Sequence, residues 1–501
     1  MMTDVEHLCG IVILAVVFYY YLIWNYDFWK KRGIPGPKPR LFFGTNKDLI
    51  LARVTAGKVV QDTYIKYRNA PAIGLYDGRS PILVLHDPEL IKTVLIKDFP
   101  KFAERPHRSH ERTEPFTLDL FHLEMERWRR LRSKQSPMFS PGKLRGMFEL
   151  MIKCSEKLEK YLDRTVSRNE VVEIRDVTTK FAADVIGSCA FGIDTNTLCP
   201  EDTEFYRLSK LVTGHSLERT VRFKLRVFLP RLYDLLGFVW PDKKLSPFFI
   251  KIVRETTSYR KKNNVYRPDF IQMLMELQES LKNQSDFEFS DTMLMAQCAA
   301  FFGAGLDTVS STLNWTLLEL ALNTDIQEKL REEMKEYMEK YNGEITYETM
   351  KEMVYLNKVF QEILRKHTVA PLLLRVATSD YYFESLKFSI PKSTQIWIPL
   401  FALLRDPVVY PNPTKFDPER FTTEAVAARH PMHYIPFGSG PRNCIGSRFG
   451  TFETKLALLK ILLRYKVNIC EQTNLPYEYD TGAINLVYKG ELYLKMTAIK
   501  Q

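Results

Sequence analysis

The apolar residues of this chain are first continuous, then helically spaced, and only locally alternating. Residues 8–24, LCGIVILAVVFYYYLIW, are almost unbroken apolar sequence, near the length that spans a bilayer. Tyr26, Phe28 and Trp29 extend the run as an aromatic interface belt. Lys30, Lys31 and Arg32 follow it while Asp4 and Glu6 precede it, an order that places the rest of the chain on the cytoplasmic side. A cleaved signal peptide would carry the reverse charge order and a small-residue cleavage site, so an uncleaved anchor is predicted. Pro35, Pro37 and Pro39 then resist both helix and sheet and predict a stiff extended spacer.

Beyond the spacer, helical spacing dominates. Residues 54–68 read as a helix. Residues 72–76 and 81–85 flank Asp77-Gly78 as a hairpin, and Asp87-Pro88 reads as N-cap and first helical residue. A basic helix covers Trp128 to Lys134. The middle, 146–283, is mostly helical, with an aromatic and leucine-rich region at 223–249 broken by Pro230, Pro241 and Pro247. Ser290 opens the longest proline-free run, to about Asn323, a helix roughly 50 Å long. Residues 376–399 alternate as strands, 447–465 read as a helix, and 484–496 alternate about Lys489-Gly490 as a terminal hairpin. The pattern predicts a mainly α fold with small β regions near the N-terminus and in the C-terminal third.

Composition changes this picture little. Of 501 residues, 45% are hydrophobic and 26% charged, ordinary for a chain with a large core. Lys and Arg outnumber Asp and Glu by 71 to 60, a net +11, which fits an anionic membrane surface or acidic partner. No dense basic run interleaved with aromatics is present, which argues against nucleic acid. The seven cysteines are scattered with no zinc spacing. Six read as small apolar residues in a reduced compartment.

Cys444 differs because of its neighbours. It lies in Phe-Gly-Ser-Gly-Pro-Arg-Asn-Cys-Ile-Gly, 437–446, directly before the 447–465 helix. Unpaired N–H groups and the helix dipole stabilise a thiolate there, so Cys444 reads as a metal ligand holding an iron. Trp128 and Arg132, four apart on one helical face, offer an indole donor and a guanidinium to a planar anionic group. Asp307 and Thr308 form a polar pair in the long helix beside Gly303 and Gly305; the pair suits proton delivery, and the glycines equally suit close helix packing. Glu362 and Arg365 share a helical face, and with Arg420 from a proline-containing loop they would make a buried lock of large cost to break.

Together these segments resemble cytochromes P-450. Residues 437–446 match the haem-thiolate signature F-x-x-G-x-R-x-C-x-G at every fixed position. In the expected order the chain adds W-x-x-x-R, A-G-x-[DE]-T, E-x-x-R and the loop arginine Arg420, covering nearly the whole chain. The wording is similar to microsomal members of the insect xenobiotic-metabolising clan. The resemblance implies an anchor over 1–29, a basic proline-rich hinge over 30–44, and a single haem-thiolate catalytic domain over 45–501. It implies Cys444 as axial thiolate, with Trp128, Arg132, Arg375 and Arg442 holding haem propionates and Phe437 shielding the sulfur. Asp307 and Thr308 match the pair that relays protons to bound oxygen, and Glu362, Arg365 and Arg420 the structural lock. Substrate contacts would come from 116–121, 301–304, 370–374 and 483–486, mostly apolar and suited to a lipophilic small molecule.

The implied reaction inserts one atom of O2 into such a substrate, in clearance of plant toxins and insecticides, with endogenous hormone or lipid oxidation as the alternative. No dinucleotide fingerprint lies between a strand and a helix. Electrons would therefore come from NADPH through a separate flavoprotein reductase, with cytochrome b5 as a further partner, on the endoplasmic reticulum membrane. Arg129, Arg130, Lys134 and Arg448 offer a basic docking face. An oxygen-independent isomerase is disfavoured by Thr308, and a tethered haem protein without turnover by the intact Asp307-Thr308 pair. Thr368, where members usually carry proline, and Leu404, where histidine is common, depart from the pattern. Asp307 replaces the commoner glutamate.

Overall fold

The computed structural model describes residues 2–199, 203–214, 217–237, 245–282 and 287–499. They form two compact units: Met1–Pro106 with Ala370–Val409 and His430–Asn443, and His107–Val369 with Tyr410–Arg429 and Cys444–Gln501.

The first unit begins with helix α1, Met2–Ile23, whose apolar span from Val5 to Ile23 is not buried in the fold. Strands β1 (Ala72–Asp77) and β2 (Ser80–Leu85) pair as the predicted hairpin. Two later strands of this unit, Leu373–Val376 and Gln395–Ile398, complete a four-stranded sheet in which the latter lies parallel to β2. The sheet is covered on both faces. Ile73, Leu75, Ile82 and Val84 enter one core, and Tyr76, Leu83 and Leu85 the other. That double burial is why 81–85 reads as a continuous apolar run rather than a clean alternation.

The aromatics expected as a belt after the anchor, Tyr26, Phe28 and Trp29, pack on the core of this unit instead. Trp29 is only 2% exposed, packed with β1 through Nε1 donating to the Leu75 carbonyl at 2.9 Å. The proline segment is likewise held: Gly74 N donates to the Pro35 carbonyl at 2.9 Å and Ile34 N to the Trp29 carbonyl at 3.0 Å. It is extended, as predicted, but it lies on the sheet rather than free of it.

The second unit is helical. Its principal elements are α2 (Met125–Gln135), α3 (Asp291–Leu322), α4 (Val354–Lys366) and α5 (Ser447–Arg464). Ser290 caps α3, its hydroxyl accepting from Met293 N at 3.2 Å. From Val309 to Ala321 every residue of α3 is buried, as expected of a helix enclosed on all sides. A three-stranded sheet joins Val171–Glu173, Tyr465–Asn468 and Tyr493–Ala498. The terminal hairpin expected over 484–496 does not form. The 493–498 strand pairs with the two remote strands instead, and 484–487 docks as a loop, Leu486 N donating to the Val369 carbonyl and Trp315 Nε1 to the Leu486 carbonyl. In the aromatic-rich region, Pro230 opens one helix (Pro230–Gly237) and Pro247 sits in the first turn of another (Leu245–Asn263), positions where a missing N–H costs nothing. Pro241 lies outside the described residues.

Three cysteines are buried (Cys154, Cys189 and Cys298), but Cys9 and Cys199 are exposed, so the expectation of six buried small residues is too broad. Burial pushes the Cys154 thiol up to about 12 and Cys189 well above its ordinary value. The same environment holds Glu453 of α5, fully buried, with neither carboxylate oxygen hydrogen-bonded. Burial pushes its carboxyl well up. The folded chain therefore keeps a proton that the unfolded chain loses near pH 4.5, and stability falls as pH rises above that value. Glu453→Leu should raise stability by about 1–3 kcal/mol at pH 5 and by more at pH 8, read as melting temperature across pH.

Candidate active site

In the second unit, the residue that opens the thiol chemistry is Cys444, exposed and two residues before the Gly446 N-cap of α5. Gly446 brings no capping side chain, so the first-turn N–H groups of α5 keep their pull on a nearby anion. Trp128 is buried on α2 and Arg132 half-buried one turn later, as their spacing predicts. Burial pushes the Arg132 guanidinium down, and the Cys444 sulfur, as thiolate, pushes it back up. The two groups therefore sit within electrostatic range. No three His, Cys, Asp or Glu side chains among the described residues could hold a metal together.

Helix α3 runs unbroken through Gly303 and Gly305. The packing reading has direct support at Gly305, where a Cβ would lie 2.8 Å from Ile186 Cδ1, but not at Gly303, where a Cβ would meet nothing within 4 Å. The Thr308 hydroxyl donates to the Ala304 carbonyl at 2.7 Å. Asp307 Oδ2 accepts from Asn485 Nδ2 at 2.6 Å. Sequence reasoning placed 483–486 among apolar substrate contacts and missed Asn485 as the partner of Asp307; nothing local marks a contact between residues so far apart in the chain.

The lock is present within this unit. Arg365 donates through Nε and Nη2 to the two Glu362 oxygens at 2.6 and 2.8 Å, and Asp417 N donates to Glu362 at 2.8 Å. Arg420 Nε stands at ion-pair distance, 3.5 Å, from the same carboxylate. Burial pushes the Glu362 carboxyl up against partners that all favour its charged form. His367, next to the Thr368 departure from the family pattern, is buried and stacks on Trp315 at 4.2 Å between ring centroids. It bonds Glu319 at 2.7 Å and Tyr479 at 3.0 Å. Thr368 and Leu404 are themselves fully enclosed.

The first unit carries the remaining predicted residues, Arg375, Phe437 and Arg442. Arg375 is 2% exposed and its Nε has no hydrogen-bond partner. Burial pushes this guanidinium down to about 9, and the neighbouring Arg105 and Arg442 push the same way. Arg105, which no spacing pattern marks, also donates Nη2 to the Arg442 carbonyl at 3.4 Å. Two buried guanidiniums, Arg375 and Arg442, with the half-buried Arg105 beside them, are costly without an anion; a group bearing carboxylates fits them. Phe437 is half-buried. The glycines of the signature loop serve the protein backbone as well: Gly440 adopts φ +74°, and a Cβ there would lie 1.9 Å from the Leu95 carbonyl oxygen.

The class these features define is a mainly α protein with an exposed cysteine directly before a helix N-terminus in one unit and a cluster of arginines in the other. Comparison with known proteins agrees. The cytochrome P450 family model matches residues 34–495. Cytochrome P450 6a2 of Drosophila melanogaster is 36% identical over 486 residues, covering 95% of this chain and 96% of the relative. Cytochrome P450 6k1 of Blattella germanica is also 36% identical, covering 94% of each chain, and cytochrome P450 6A1 of Musca domestica is 34% identical, covering 98% and 97%. The chain belongs to the cytochrome P450 family of haem-thiolate monooxygenases.

Proposed function

We propose that the chain is an anchored monooxygenase of lipophilic foreign compounds, with plant toxins and insecticides as the substrate class. The relatives named above are all insect cytochromes P450 of the 6 series, and the substrate-contact stretches include Phe116, Phe121, Phe301 and Phe302. Residues 1–29 serve as anchor, 30–44 as hinge and 45–501 as catalytic domain, on the cytosolic side of the endoplasmic reticulum membrane. The exposed apolar helix α1 supports that placement.

Cys444 is proposed as the axial thiolate, Trp128, Arg132, Arg375 and Arg442 as the propionate partners, and Phe437 as cover for the sulfur. The observation that carries the assignment is Arg375, buried beside two further guanidiniums with its Nε unbonded. Bound haem supplies O2 activation, helped by thiolate donation to the iron. The chain's own part is to hold the sulfur deprotonated at α5, to keep an apolar substrate dry, and to pass protons from the Asp307 carboxyl. Asn485 holds that carboxyl in place. Thr308, its hydrogen already given to the Ala304 carbonyl, offers its oxygen to a water on the same route.

Electrons are proposed to come from NADPH through a separate flavoprotein reductase, with cytochrome b5 as a second donor. Arg129, Arg130, Lys134 and Arg448 are all exposed in the second unit. Arg129→Glu with Arg130→Glu should raise the apparent KM for reductase about fivefold at low salt and less at high salt. An unchanged KM would move docking elsewhere. The proposed function itself is tested by NADPH-driven turnover of a panel of lipophilic toxins with reductase added. Oxygenated product with matching O2 consumption supports it; reductase-independent rearrangement would overturn it.

A further inference from the structure

Helix α1 does not stand clear of its own unit. Its last turns run beside the turn between β1 and β2, and a groove of about 620 Å3 lies there, lined by Val16, Val17, Tyr20, Tyr21, Trp24, Asn25 and Arg79. Both walls are fixed. The Arg79 guanidinium lies 3.8 Å over the Tyr21 ring and donates Nη1 to the Tyr21 carbonyl at 3.4 Å. Just beyond the helix, Tyr26 donates its hydroxyl to the Arg40 carbonyl at 2.8 Å, and Arg32 Nε donates to the Ser389 carbonyl at 3.1 Å. With Trp29 tied to Leu75, the segment after α1 is fixed to its own unit beside the groove.

Chemistry and depth identify an occupant. The lining is aliphatic at Val16 and Val17, aromatic from Tyr20 to Trp24, and cationic at Arg79, its single charged residue. A helix of 22 residues rises about 33 Å, against a hydrocarbon core of about 30 Å. Val16 and Val17 therefore fall at acyl-chain depth, and Trp24 and Arg79 at headgroup depth, where aromatic side chains settle. The nearest following acid, Asp27, is already paired with Lys31 at 2.5 Å, and Arg79 keeps N–H donors beyond the one it gives Tyr21. A phosphate satisfies such a guanidinium with paired hydrogen bonds.

We propose that this groove binds one anionic glycerophospholipid of the bilayer, its phosphate on Arg79 and an acyl chain along Val16 and Val17, beneath the exposed Trp24 ring. The inference rests on the reading of α1 as a membrane anchor. A lipid seated there would fill the space between the anchor and the sheet of the same unit.

The test uses the full-length chain in nanodiscs of phosphatidylcholine doped with phosphatidylserine, released into detergent for native mass spectrometry. One retained phospholipid per chain, enriched in phosphatidylserine, is expected. Arg79→Gln should lower its retention about fivefold, whereas Lys31→Gln, outside the lining, should leave it unchanged. Equal loss in both variants would reduce the effect to general surface attraction and overturn the site. So would retention without headgroup preference that Arg79→Gln leaves intact. Displacement by soluble glycerophosphoserine would show a site for free phosphate esters rather than a lipid, and would overturn the lipid assignment. A wash of vesicle-bound protein at alkaline pH separates the two readings: release overturns the anchor and the groove together, while retention without a lipid adduct overturns the groove alone.

Discussion

Cys444→Ala is expected to abolish the red-shifted Soret band of the reduced, carbon monoxide-bound protein and to bring oxygenation to background. Thiolate donation is the origin of that shift, and a haem bound through nitrogen does not show it. The substitution separates ligation from folding unusually well. The side chain is exposed and fills no core, so its loss should leave stability within about 0.5 kcal/mol. Cys470→Ala, half-buried elsewhere in the same unit, should keep both the band and turnover. A shift that survives in Cys444→Ala would place the thiolate at another residue and remove the basis of the proposed site.

Glu362→Gln should act in the opposite way, through the fold first. Both Glu362 and Arg365 side chains are fully buried, and one carboxylate answers Arg365, the Asp417 N–H and Arg420. Removing its charge strands Arg365 in a place without water, which costs about 3–5 kcal/mol. Against a typical total of about 5–15 kcal/mol, little stability would remain. Denaturation midpoint and haem retention through gel filtration should fall together. Arg420→Lys, which keeps a cation at the more distant 3.5 Å contact, should cost much less. A Glu362→Gln protein as stable as the parent would mean that the buried carboxyl is already neutral.

Much of this was legible from residue order, because the deciding signals were local. Ser290 before a proline-free run marks the start of α3, and the Asp77-Gly78 pair marks the tip of the first hairpin. Asp87 before Pro88 marks a capped helix, and its carboxylate accepts from Leu90 N at 2.9 Å. The same is true of Glu362 and Arg365, one helical turn apart. What escaped depended on remote partners. Trp29 has the same local pattern as an interface aromatic, and only the carbonyl of Leu75 shows it to be core. The 493–498 strand prefers partners at 171–173 and 465–468 over its sequence neighbour. Arg105 and Asn485 matter through Arg442 and Asp307, residues that no spacing rule connects to them.

The parallel pairing of β2 with the 395–398 strand bears on how the chain is made. Ile82 meets Gln395 and Val84 meets Trp397, so this sheet closes across more than three hundred residues. At about 5–20 residues per second, the ribosome delivers the second partner roughly 15–60 s after the first. Throughout that interval the hairpin carries a bare strand edge, of the kind that invites pairing with other chains. Nascent chains arrested before residue 395 should therefore be protease-sensitive over 72–85 and should recruit chaperones there. Arrest after the sheet has closed should protect the same segment.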